Sequence, residues 1–169
     1  MELAAQIIGL VAAAFNIYAF QMKGNKYLYL LRAIGGTLFA ISFFMKGAPT
    51  AALLNLACLL QGAILAVGPK WTNRYTLTLV MAIFLAIGIF TYDGWLSVLI
   101  TSAQLISAVA MFSRNGKLIR FGNFFYASPV WLINNIVVFS LGGIITEVVT
   151  LVSILISFIR FGWNGFEDQ

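Results

Sequence analysis

The chain has 169 residues, 62% of them apolar, with ten Lys and Arg, five Asp and Glu, and no His. A soluble domain of this length needs many more charges to cover its surface, so a soluble globular protein is excluded and a polytopic membrane protein is expected. The net charge of +5 is scattered over short connectors, which argues for topology signals and against a nucleic-acid patch. Without His, neither a tight transition-metal site nor a His base is expected, and neither a cofactor nor enzymatic activity. The single Cys58 cannot form an internal disulfide and is expected to pack.

Seven apolar spans follow in order: Leu3–Phe20, Tyr27–Met45, Thr50–Val67, Tyr75–Phe90, Trp95–Phe112, Phe121–Ser140 and Ile144–Phe161. Several are near the short limit for crossing a bilayer core. Met1 and Glu2 lack the basic start of a signal peptide, so the first span is expected to be retained. The connectors are short and rich in Gly, Pro and Asn, which makes sequential helices antiparallel neighbours. With seven spans, Lys23, Lys26, Arg32, Lys70, Arg74, Arg114, Lys117, Arg120 and Arg160 fall on one side and only Lys46 on the other. By the positive-inside rule the N-terminus is outside and the C-terminus cytoplasmic.

A faint repeat is visible. Phe20 to Gly24 parallels Phe112 to Gly116, and Phe44 to Gly47 parallels Phe139 to Gly142. Spans one to three (residues 1–70) and five to seven (94–169) then form two like-oriented units, because the single span between them (71–93) turns the second one round. That fourth span, "YTLTLVMAIFLAIGIF", carries only Thr76 and Thr78 as polar groups and reads as a linker able to face lipid all round.

Polar side chains in the other spans are candidates for a central site. Gly9, Ala12, Ala13 and Asn16 share one face of span one, and Thr101, Gln104, Ala108 and Met111 one face of span five. Asn55 lies in span three; Gln61, nearer the cytoplasmic half, reads as a snorkelling residue. Span seven offers Thr150, Ser153 and Ser157. In "SPVWLINN", Trp131 and Asn135 stack on one side and Asn134 lies about 100° round. For Asn16, Asn55, Gln104, Asn134 and Asn135 two readings stand side by side: hydrogen bonding to a neutral polar solute, or interhelical glue. Trp131 is a stacking face or a core filler. Pro129 cannot donate to the Phe125 carbonyl and is a hinge or a static kink. Arg32 snorkels or gates the cytoplasmic mouth, and Glu147, near the outer end of its span, is a coupling or gate carboxylate.

The segment "GKLIRFGNFFYASPVWLINNIVVFSLGGIITEVVTLVSILISFIR" resembles the YgjV-like family of bacterial inner membrane proteins, as does "FQMKGNKYLYLLRAIGGTLFAISFFMKGAPTAALLN" in the first half. That family resembles in turn the SWEET, semiSWEET and PQ-loop group. The resemblance implies an all-α membrane protein of seven transmembrane helices, two parallel three-helix bundles joined by a linker helix, acting as an inner-membrane small-solute transporter. By analogy with the sugar carriers of that group, Asn55 matches the Asn of the first triple's third helix and Trp131 the Trp of the second triple's second helix. Span seven offers Thr150 in place of Asn, and span two offers Phe39 or Phe43 in place of Trp. Membrane lipid and a small polar solute are the expected partners. Two fused units would suffice as a monomer. A structural or regulatory membrane protein with packed Asn and Gln contacts is the competing expectation.

Overall fold

A computed structural model describes residues 1–19, 25–68, 70–113 and 115–161. Among these the protein is all-helical, with no strand. The helices are α1 (Glu2–Ala19), α2 (Asn25–Met45), α3 (Pro49–Val67), α4 (Arg74–Phe90), α5 (Trp95–Phe112), α6 and α7 (Leu141–Phe161). Helix α6 runs without a break through Gly116–Gly122, a π-helical Asn123–Ala127 and Ser128–Val137. Seven helices thus fall close to the seven expected spans, although α6 starts five residues early and α7 three.

The ends follow from local chemistry. Pro49 opens α3, where its missing N–H costs nothing. Asn73 and Thr76 form a reciprocal capping box on α4, and the Asn115 side chain accepts the Lys117 and Leu118 N–H groups on α6. Gly47 and Gly94 take the left-handed backbone that their tight connectors require.

Packing closes a ring. Helix α1 contacts α2 and α7, α2 contacts α3, α3 contacts α5, α5 contacts α6, and α6 contacts α7. Helix α4 lies outside the ring against α3 and α5. The expectation that this helix faces lipid all round is wrong. Val80 and Phe84 are fully buried, and Gly88 lies so close to α5 that an added Cβ would sit 2.5 Å from Thr101 Oγ1. Thr101 therefore faces α4 and leaves the stripe expected of it with Gln104 and Met111.

The outward surface is apolar, with Leu3, Ile89, Phe90 and Ile159 each more than two-thirds exposed. Such a surface suits hydrocarbon and not water. Pro49–Val67 and Trp95–Phe112 are individually long and apolar enough to span a membrane, while Glu2–Tyr18, Ala33–Met45, Arg74–Phe90 and Leu141–Ile156 are shorter apolar stretches.

Candidate functional site

The ring encloses a cavity of about 1180 Å³. Its wall takes α3 from Asn55 to Ala63, α5 from Gln104 to Met111, α6 from Gly116 to Asn135 and α7 from Gly143 to Ile154. The first turns of α3 and α5 contribute nothing, because Ala51, Ala52, Leu54, Ile100 and Ala103 pack there. The cavity therefore opens toward the end where the basic connectors lie and narrows toward the Lys46 end, where α3 and α5 fill the space and Phe43, Asn135 and Gly143 form its floor.

Two polar clusters join the helices at that filled end. In the first, Gln6 Nε2 donates to the Phe139 carbonyl (2.5 Å) and Gln6 Oε1 accepts the Leu141 N–H (3.1 Å). Lys46 Nζ donates to the same carbonyl (2.9 Å), and Ser42 Oγ to the Ala5 carbonyl (2.8 Å). Phe139 is held at φ 51, a left-handed conformation unfavourable for a bulky residue. Beside it Gly142 of α7 rests on the backbone of Gly9, so that an added Cβ would meet the Gly9 carbonyl. The small-residue face of α1 is thus a helix crossing, as its spacing implies. In the second cluster Thr50 Oγ1 donates to the Thr91 carbonyl (2.6 Å), accepts from Thr91 Oγ1 (2.9 Å) and lies 3.1 Å from Ser97 Oγ.

The deep part of the cavity is aromatic on one side. Phe39 and Phe43 stack with centroids 6.0 Å apart, and Trp131 meets Phe43 at 6.3 Å. Of the residues singled out from the sequence, Asn16, Asn55, Gln104, Trp131, Asn135 and Glu147 all line the cavity. Asn16 lies against Gly35, and Gln104 and Asn135 are almost fully buried. Asn134 is turned away from it: its side chain is 2% exposed, off the cavity wall, and Nδ2 finds no acceptor. A buried unpaired amide hydrogen costs about 1–3 kcal/mol. Asn134→Leu is therefore expected to stabilise the protein by about 1 kcal/mol in a denaturant titration in mixed micelles. The same change at Asn135 removes a cavity wall group and brings its penalty in function.

Three expectations need correction. Glu147 is not at the edge of its helix. Helix α7 begins at Leu141, so the carboxylate lies about 9 Å in, on the cavity wall. Gln61 does not snorkel; it is 2% exposed and its Nε2 donates to Met111 Sδ (3.5 Å). At Pro129 there is no simple opened turn. The Ser128 N–H reaches back five residues to the Asn123 carbonyl, so a π-turn absorbs the irregularity just before the Pro ring. Pro129 itself is half-buried and off the cavity wall. Arg32 belongs to α2, and its side chain lies outside the described residues, as do residues 20–24 of the first repeat match.

The sequence reading misses Asn123 and Arg120 on the wall. The signal is Asn115, whose cap starts α6 early enough to draw both into the helix. The two repeat matches differ in spacing: Phe20 to Gly24 against Phe112 to Gly116 lies 92 positions apart, and Phe44 to Gly47 against Phe139 to Gly142 lies 95. The α2–α3 and α6–α7 turns are built alike: Ala48 N–H donates to the Phe43 carbonyl (2.9 Å) and Ser140 N–H to the Asn135 carbonyl (2.8 Å), while Gly47 N–H and Phe139 N–H each reach back three residues (3.1 Å in both). Gly47 and Phe139, both left-handed, are the equivalent positions. Counting from them, Phe39 corresponds to Trp131, Phe43 to Asn135 and Asn55 to Glu147, not to Thr150. All of these residues line the cavity.

No curated protein and no solved structure shows a significant match to the chain. Residues 3–164 match Imp-YgjV, a family described as bacterial inner membrane protein. An apolar-faced helical ring matched over nearly its whole length leaves one assignment: the chain belongs to the Imp-YgjV family of bacterial inner membrane proteins.

Proposed function

We propose that this protein is an inner-membrane carrier for a small polar solute, facilitative or weakly coupled, which binds between two parallel three-helix units. The observation that carries the reading is a largely apolar cavity of about 1180 Å³, set with carboxamides on its wall, that reaches the basic end of the ring and is closed off by a hydrogen-bonded cluster at the other. A structural protein has no need of a half-open ring with Asn55, Gln104 and Asn135 on its inner wall. The matching turns after α2 and α6 support the repeat, with α4 as the linker. The ring order supports it too, since exchanging the two units maps the α3–α5 junction onto α7–α1. The nine-to-one distribution of basic residues supports a cavity mouth on the cytoplasmic side and a seal outside.

Reconstituted into liposomes, the full chain is expected to give saturable uptake of at least one class among neutral sugars, nucleosides, amino acids and amines. Asn135→Leu should lower that uptake about tenfold, the loss expected from deleting one hydrogen bond to solute in a dry site. Asn134→Leu should leave it unchanged. No uptake in any class, or equal loss in both variants, overturns the reading.

A further inference from the structure

We propose that the cavity takes a flat, uncharged heteroaromatic ring with an amide edge, of which a pyrimidine base is the smallest example. This deepens the carrier reading, on which its biological meaning rests. Gln104 carries the argument. Its side chain lines the cavity and is only 6% exposed, yet it makes no hydrogen bond among the described residues. Neither of its ends is sealed off, as Asn134 Nδ2 and Asn135 Oδ1 are. A carboxamide brings a donor and an acceptor side by side. With both open, its full complement is an acceptor next to a donor on one planar edge, the way Gln and Asn pair with the edge of a base.

Trp131 lies at nearly the same depth. Gln104 stands nine residues into α5, about 13 Å from the Lys46 end of that helix, and Trp131 six residues from the same end of α6, about 9 Å. Trp131 is half-buried, its ring leans on Phe43 at 6.3 Å, and Phe43 stacks in turn on Phe39, so aromatic packing backs it and the cavity lies before it. Its indole N–H makes no hydrogen bond among the described residues. Asn55 Nδ2 donates to the Ala51 carbonyl (2.9 Å) and keeps a second hydrogen and Oδ1. The wall thus offers donors and acceptors in mixture, sparsely, on a largely apolar surface.

A heteroaromatic amide matches both halves of that description. Its faces are apolar and stack on an aromatic side chain, and its rim carries a few adjacent donors and acceptors. A sugar bears a hydroxyl on nearly every carbon and would strip more water from itself than so few polar groups could replace. An ion would need an unengaged opposite charge, and the two charged side chains on the wall, Arg120 and Glu147, are both engaged within the protein.

The test is equilibrium binding to the purified full chain by calorimetry. Its three probes are uracil, uracil methylated on both ring nitrogens, and glucose. Uracil is expected to bind at least about tenfold more tightly than the dimethyl form, which keeps the ring and carbonyls but has lost both donors, and glucose more weakly than either. Gln104→Met should lower uracil affinity about tenfold and leave the dimethyl form unchanged, which also shows that the cavity is intact. Trp131→Leu should weaken both pyrimidines about tenfold, and Trp131→Phe, which keeps a ring, should weaken them less. If Gln104→Met fails to fold, the wild-type comparison and the Trp131 pair decide the matter. No binding of uracil, equal affinity for uracil and its dimethyl form, tighter binding of glucose, or a Gln104→Met loss shared equally by both pyrimidines overturns the proposal. Uptake of a sugar with no binding of uracil would sink the ring preference and spare the carrier. Uracil binding without uptake would do the reverse.

Discussion

Replacing Gly142 by alanine is expected to destabilise the protein by about 3 kcal/mol, the upper end of what overpacking costs. The added methyl would fall on the Gly9 carbonyl and crowd the Leu10 amide, both main-chain groups of α1. Neither can swing aside as a flexible side chain would, so α7 must lift off α1 along the whole crossing. Gly62 is the control. It lies on the cavity wall, and an added Cβ there would meet nothing within 4 Å. Gly62→Ala should be neutral or stabilise by up to about 1 kcal/mol through helix propensity. Denaturant titration in mixed micelles, followed by far-ultraviolet circular dichroism, separates the two. Equal shifts would mean that the α1–α7 crossing is looser than its geometry indicates.

Gln6→Leu is expected to cost about 2 kcal/mol, because it leaves the Leu141 N–H without its partner and removes one of two donors to the Phe139 carbonyl. For a carrier the larger consequence is a change of access. The seal on the Lys46 end holds α1 and α2 to the α6–α7 turn, and weakening it favours the state in which that end is open. Ser140→Cys, at a position 1% exposed, reports the opening in a Cys58→Ser background. Its labelling by a membrane-impermeant maleimide should rise about tenfold or more with Gln6→Leu, the factor that about 1.4 kcal/mol supplies. Loss of stability with no gain in labelling would make the cluster a fixed brace.

Much of this architecture is legible without coordinates. Helix positions follow from hydropathy because both the inward and the outward faces of these helices are apolar, which leaves a continuous apolar record. Asn16, Asn55, Gln104 and Asn135 stand out for a related reason: a carboxamide in such a run has few places to go. What cannot be read is pairing at a distance. Gln6 and Phe139 are bonded across 133 positions, and neither looks unusual where it stands. Nor does composition reveal that α4 is wedged against α3 and α5, since a buried Phe84 and a lipid-facing Leu85 are equally apolar. The two sequence matches give spacings of 92 and 95, because Phe and Gly recur too often here to fix one register. The two backbone turns fix it instead.

The π-turn at Asn123–Ala127 inserts one residue into α6 and so turns everything after it by one place. With Gly116–Gly122 held where it is, an uninterrupted α-helix would put Asn134 where Asn135 now sits and Asn135 where Ile136 now meets the exterior, 55% exposed. Trp131 would yield its place to Val130 in the same step. The bulge is what lets neighbouring carboxamides both stay buried; straightening the helix with every residue kept would send one of them outward, whereas deleting one residue between Gly122 and Ser128 would remove the bulge and leave both in place.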